Sequence, residues 1–140
     1  MRPTRDAAEV DAARQLRLKV FCEEQGVPRE IELDGLDDEA VQVVALDESA
    51  VIATCRLRFI EGGATCKLER MAVESRVRSL GVGGRLLAGA EDAARAEGAS
   101  TMLLHAQRPA EAFYASHGYE AEGEAFMDAG IEHIAMRKAL

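Results

Sequence analysis

No stretch of the chain approaches twenty consecutive apolar residues, and the N-terminus lacks the apolar core of a signal peptide, so the expectation is a soluble, cytoplasmic protein. Cysteine is scarce. Cys22, Cys55 and Cys66 are odd in number, widely spaced and without a C-x-x-C pair, which argues against zinc and redox chemistry and predicts reduced, mostly buried thiols and no metal. Basic charge is also short: 17 Lys and Arg face 25 Asp and Glu, a formal net charge of −8. That balance disfavours nucleic acid and anionic membrane as partners and suits small cationic ones. Proline is rare, and repeats, linkers and low-complexity segments are missing. With 48% apolar residues in 140, the composition fits one globular domain over residues 1–140 with one core.

What the chain does have is a glycine-rich turn behind an apolar strand. Leu68 to Val73 is followed by Arg78-Ser79-Leu80-Gly81-Val82-Gly83-Gly84-Arg85 and then by Leu86 and Leu87. Glycines just before a helix leave backbone N–H groups unshielded where the helix dipole begins, which makes an anion cradle suited to phosphate. A Walker loop would need Lys and then Ser or Thr after the last glycine, where Arg85-Leu86 stands. A dinucleotide fingerprint would need a glycine where Leu86 sits. Arg78-x-x-Gly81-x-Gly83 remains.

The rest of the chain frames that turn. Met1 to Arg5 reads as a short edge strand because Pro3 removes a ladder donor. A long helix runs from a cap at Thr4 or Asp6 to a stop at Gly26. Gly26 to Glu39 is a loop or a short helix within a loop, with eight acids between Glu23 and Glu39 against Arg29 alone. It is either a solvated face or an electrostatic funnel for an amine. Ala40–Leu46 and Val51–Ile60 form a hairpin about the turn Asp47 to Ser49, and Thr65–Val73 continues the antiparallel meander. A helix over 86–97 and a strand over 101–107 complete a right-handed βαβ unit. A short helix over 110–117 and a hairpin of 119–127 with 131–138 end the chain. The fold class is α/β in the α+β sense: a central, mostly antiparallel mixed sheet with one parallel βαβ unit and flanking helices.

Arg78-x-x-Gly81-x-Gly83 resembles the pyrophosphate motif of the GNAT superfamily of N-acetyltransferases, and Phe113-Tyr114-x-x-x-Gly118-Tyr119 resembles its second signature. Arg17-x-x-Val20-Phe21-x-x-Glu24-Gln25, Glu32-x-Asp34, Ala106-Gln107 and Gly130-Ile-x-His133-Ile134 resemble the ElaA-like branch, so the likeness covers nearly the whole chain. It implies a GNAT-like acyl-CoA N-acyltransferase fold. The activity implied is acetyl transfer from acetyl-CoA, as co-substrate, to a primary amine of a small molecule or peptide by direct attack in a ternary complex. A non-catalytic acyl-CoA sensor of the same fold is the alternative, and a monomer or homodimer is expected.

The resemblance assigns coenzyme A binding to Met71, Ala72, Val73, Arg78, Ser79, Leu80, Gly81, Val82, Gly83, Gly84, Arg85 and Tyr114. It places the thioester near the Met71 and Val73 amides and makes Tyr114 the acid for the departing sulfur. Phe21, Glu24, Gln25 and His105 become candidates for the acceptor pocket. For the base, period-two alternation puts Lys67, Glu69, Met71 and Val73 on one strand face, so Glu69 is positioned to take the amine proton, with a merely salt-bridged carboxylate as the alternative. His105, His117 and His133 read first as structural hydrogen-bonders.

Overall fold

A computed structural model describes residues 1–37, 40–48 and 50–140. Asp38 and Glu39 of the acidic run and Ser49 of the first hairpin turn lie outside the described residues. The elements are β1 (Arg2–Pro3), α1 (Ala7–Arg17), α2 (Arg29–Glu32), β2 (Val41–Asp47), β3 (Ala50–Ile60), β4 (Thr65–Val73), α3 (Val82–Ala96), β5 (Thr101–Gln107), α4 (Glu111–Ser116), β6 (Glu120–Asp128) and β7 (Ile131–Ala139). The sheet has seven strands in the order β1-β2-β3-β4-β5-β7-β6. Every neighbouring pair is antiparallel except β4 and β5. This is the mixed sheet the spacing predicts, with one parallel pair among antiparallel ones.

Each sheet face is covered by helix. Ala53, Cys55 and Leu57 of β3, Leu68 of β4 and Leu104 of β5 pack with Leu86, Leu87, Ala90 and Ala94 of α3 in the main core. Alternate residues of the same strands turn to the other side, where Leu16 of α1, Val20 and Ala72 form a smaller cluster. Burial fits the thiol reading: Cys55 and Cys66 are buried free cysteines, and desolvation pushes the Cys66 thiol up to about 12.

The first helix differs from its expected form. Asp6 caps α1 by accepting from the Glu9 N–H at 2.8 Å. Beyond Arg17 the chain widens into a π-helical stretch, Leu18–Glu24, which ends as the Gln25 N–H reaches the Val20 carbonyl five residues back, at 3.2 Å. The helix over 86–97 starts earlier than expected, at Val82, so Gly83 and Gly84 lie inside its first turn and only Gly81, at φ 79°, makes the left-handed turn before it. The last hairpin closes through Ala129 and Gly130, both at positive φ, as a tight two-residue hairpin turn requires.

Candidate active site

Two irregularities open the site. β4 pairs with β5 only from Thr65 to Leu68, opposite Thr101 to Leu104, although β5 runs on to Gln107. Past Leu68 the two strands part, and a cleft of about 760 Å³ opens between them. Just beyond that point Arg70 adopts φ 55°, and the β3–β4 register slips: Arg56 pairs with Glu69 and Thr54 with Ala72. One extra residue on β4 is a β-bulge.

The bulge reverses the alternation of β4. Cys66 and Leu68 before it, and Met71 and Val73 after it, face the α3 side. Glu69 therefore does not share a face with Met71 and Val73, as strict period-two reading expects. It points to the α1 side beside Arg56 and Arg58. Ala72 also faces α1, buried against Leu16 and Val20, while its backbone pairs with Thr54 of β3. Ala72 thus takes no place on the open edge. The Glu74 N–H goes to Ile52 of β3 at 2.8 Å, so by alternation the N–H groups of Met71 and Val73 face the bare edge where β5 has left.

The glycine turn stands beside that edge. Arg85 N–H meets the Gly81 carbonyl at 3.3 Å, so the N–H groups of Val82, Gly83 and Gly84 precede the first intrahelical bond and remain free at the helix N-terminus. Gly84 serves close packing, since a Cβ there would sit 3.0 Å from the His117 ring, whereas one on Gly83 would make ordinary contact with the Phe113 ring at 3.4 Å. Arg78 Nε donates to the Val73 carbonyl at 3.0 Å, and its Nη2 pairs with Glu24 at 2.7 Å. Glu24, expected in the acceptor pocket, is thus tied to Arg78. Of the other expected contacts, Ser79 lines the cleft, whereas Leu80, 66% exposed, and Arg85 stand outside its lining.

Tyr114 enters the cleft from α4. Its ring is buried and packs edge-on to Phe113 and Tyr119, and its hydroxyl donates to the Met71 sulfur at 3.6 Å. Burial, with Cys55 nearby, pushes the phenol well above its ordinary value, so it keeps its proton throughout the neutral range.

On the α1 side Glu32, Asp34 and Asp37 of the acidic loop are held by arginines, while Glu23 and Glu30 are exposed. Arg17, buried, receives Glu32 and Asp37, both at 2.7 Å. Arg56, fully buried, holds Asp34 at 2.8 Å, Glu69 at 2.9 Å and Asp37 at 3.2 Å. Arg58 also binds Glu69, and Arg70 reaches Glu32 and Asp34. Hydrogen bonding from Arg56 holds the Asp34 carboxyl well below the usual range. For Glu69, burial pulls upward, but the hydrogen bond from Arg58 and the charge of Arg56 outweigh it and the net shift is downward. Period-two spacing of Arg56 and Arg58 was the available sequence signal for this network. Asp34 and Asp37, the upstream partners of Arg56, had none.

His105 and Phe21 line the cleft, as expected of acceptor-side residues. The His105 ring meets Phe126 edge-on at 4.9 Å. Partial burial, then the nearby positive charge of Lys67, lowers its pKa and leaves the imidazole neutral. His133 accounts for its own Nδ1, 2.7 Å from the Ile131 carbonyl, which can only accept. Gln25 and Gln107 bond side chain to side chain, with the Gln107 amide donating at 2.8 Å, and both line the cleft.

Residues 6–140 match the family model for the acetyltransferase (GNAT) domain. The chain belongs to the GNAT acetyltransferase family. It is 42% identical over 124 residues to the uncharacterized N-acetyltransferase YjcF of Bacillus subtilis (strain 168), covering 88% of this chain and 87% of that one. Among solved structures, an acyl-CoA N-acyltransferase from Pseudomonas aeruginosa is 30% identical and superposes with a TM-score of 0.85, over 96% of this chain and 93% of that one. Escherichia coli ElaA shares the fold at 24% identity and a TM-score of 0.84, over 96% and 92% of the two chains. This GNAT domain is an acetyl-CoA-dependent acyltransferase, and its free helix N-terminus beside a bare strand edge fits a thioester joined to a pyrophosphate. No helix among the described residues is long and apolar enough to cross a membrane.

Proposed function

We propose that this GNAT domain moves the acetyl group of acetyl-CoA to a primary amine of a small molecule or peptide, by direct attack of the amine within a ternary complex. The observation that carries the reading is the parting of β4 and β5 beside the start of α3. The cleft is lined from both faces of the sheet, with Gly83, Tyr114 and Met71 on the α3 side and Phe21, His105 and Lys67 on the other. Donor and acceptor can therefore enter from opposite sides and meet between the strands.

Acetyl-CoA supplies an activated carbonyl whose carbon–sulfur bond breaks as the amine nitrogen bonds to carbon. The N–H groups of Val82, Gly83 and Gly84, with Arg78, hold the pyrophosphate. The Met71 and Val73 amides stabilise negative charge developing on the carbonyl oxygen. Tyr114 carries the proton for the departing sulfur. His105, neutral and in the cleft, takes the proton leaving the amine, directly or through water. Glu69 suits that task less well, because two guanidiniums hold its carboxylate in the ionised, weakly basic form. Measuring thiol release from acetyl-CoA against a panel of primary amines tests the proposal. Amine-dependent release at saturable rates is the expected result. Binding of acetyl-CoA without release by any amine would overturn it in favour of a sensor.

A further inference from the structure

Lys67 stands outside every ion pair among the described residues; its charge acts on Glu69, two positions along β4, but that carboxylate is already held by two arginines. In the β3–β4 ladder Lys67 stands directly opposite Arg58, so two positive side chains share one face at neighbouring positions, an arrangement that destabilises a sheet when nothing neutralises it. Glu69, the nearest carboxylate on that face of β4, is held by Arg58 and Arg56. Glu32 and Asp34, which also line the cleft, are held by Arg17, Arg56 and Arg70. Lys67 makes no ion pair among the described residues. Asp128, on the opposite wall, is the one carboxylate in the cleft lining in the same condition, and both charges act on His105 between them. The arginines and carboxylates beside it are matched to one another, so Lys67 is left as a positive group of the cleft wall outside their ion pairs, despite the chain's net charge of −8.

We infer that the acceptor of this GNAT domain carries a carboxylate as well as its amine, and that Lys67, with Arg58 beside it, holds that carboxylate. The inference rests on the acetyltransferase reading of the cleft and deepens it by naming the acceptor class. It departs from the expectation of a small acceptor that is only cationic, because Glu32, Asp34 and Asp37, three of the acids that suggested one, are already paired with arginines. An amino acid or short peptide answers both unpaired charges: its carboxylate lies against Lys67, while its amine, arriving as ammonium, passes Asp128 before losing a proton to His105. Lys67 is thus a specificity-determining residue, and His105 sits between the group that anchors the acceptor and the side from which the amine enters.

The test is titration calorimetry on the coenzyme A-loaded chain with matched acid and amide pairs: 4-aminobutanoate and its amide, L-leucine and L-leucinamide, glycylglycine and its amide. At least one acid is expected to bind about tenfold or more tightly than its amide, as a charge-assisted contact implies. Lys67→Met is expected to bring that pair within about threefold, and Lys67→Arg to keep most of the preference. Equal binding of acid and amide, tighter binding of every amide, no saturable binding by any acid, or an undiminished preference in Lys67→Met would each overturn the inference. If Lys67→Met does not fold, the comparison on the unaltered chain decides alone. Binding preference without thiol release would instead count against acetyl transfer and leave the carboxylate anchor standing, so the two failures are distinguishable.

Discussion

Glu69 and Met71 stand two positions apart on β4 and face opposite sides of the sheet, because Arg70 between them takes a left-handed backbone conformation. Met71 reaches the Tyr114 hydroxyl on the α3 side, and Glu69 reaches Arg56 and Arg58 on the α1 side. The same residue that sends Glu69 into the ion-pair network turns the Met71 and Val73 amides to the bare edge. The bulge thus separates the side of the arginine–carboxylate network from the side of Tyr114 and α3.

The division of labour between His105 and Glu69 is open to direct measurement. His105→Gln is expected to lower kcat by about 10²-fold, the range for loss of a general base, and Glu69→Gln by less than about tenfold. The neutral imidazole is the active form, and burial with Lys67 and His133 lowers its pKa against the opposing pull of Asp128 and Glu69. Activity should therefore be lost as pH falls through a value below 6.5, the ordinary histidine figure. A pH–rate profile checks both points, and an acid limb retained in His105→Gln would reassign the base.

Tyr114→Phe removes the hydroxyl and little else, since its partner in the free chain is a thioether, a weak acceptor. Turnover should fall by about 10²-fold or more, while stability changes by about 1 kcal/mol or less. Steady-state thiol release beside a thermal melt separates the two effects.

The buried guanidinium of Arg56 faces Asp34, Asp37 and Glu69 together. Arg56→Met should destabilise the chain by about 3–5 kcal/mol, because three carboxylates lose a shared partner inside the protein. In the unaltered chain these carboxylates have folded-state pKa values below their unfolded ones. Their contribution is complete above the unfolded values of about 4 and is withdrawn as pH falls toward the lowered folded values. Urea midpoints should thus hold steady from neutral pH to about pH 5 and drop below about pH 4.

Gly81 carries the turn into α3 at φ 79°, with open space where a side chain would stand. Gly81→Ala should cost about 1–2 kcal/mol through backbone strain alone. It should weaken coenzyme A binding in calorimetry as the free N–H groups of α3 shift. Gly84→Val acts differently: its side chain meets His117, so the expected loss comes from displacement of α4.

Much of the donor half was legible along the chain. The glycine spacing, the strand and helix flanking it, and the short helix bearing Tyr114 are local features, and each formed close to its expected place. Gly83 and Gly84 differ in lying within the first turn of α3 rather than before it, and Gly84 there admits the His117 ring. The acceptor half was far less legible. Glu24 went to Arg78 and the acidic loop went to arginines on three other elements, pairings with no periodicity to announce them.

By itself the amino-acid sequence determined the order of strands and helices, the parallel unit and the glycine turn at the head of α3, because hydrophobic period and glycine placement act over a few residues and leave a local pattern. Only the tertiary structure decided which face Glu69 presents, which carboxylates arginines hold and that Lys67 makes no ion pair among the described residues. A single left-handed residue that is not glycine shifts the phase of a strand without a local signal, and ion pairs form between residues that the sheet, and nothing nearer in the chain, brings together.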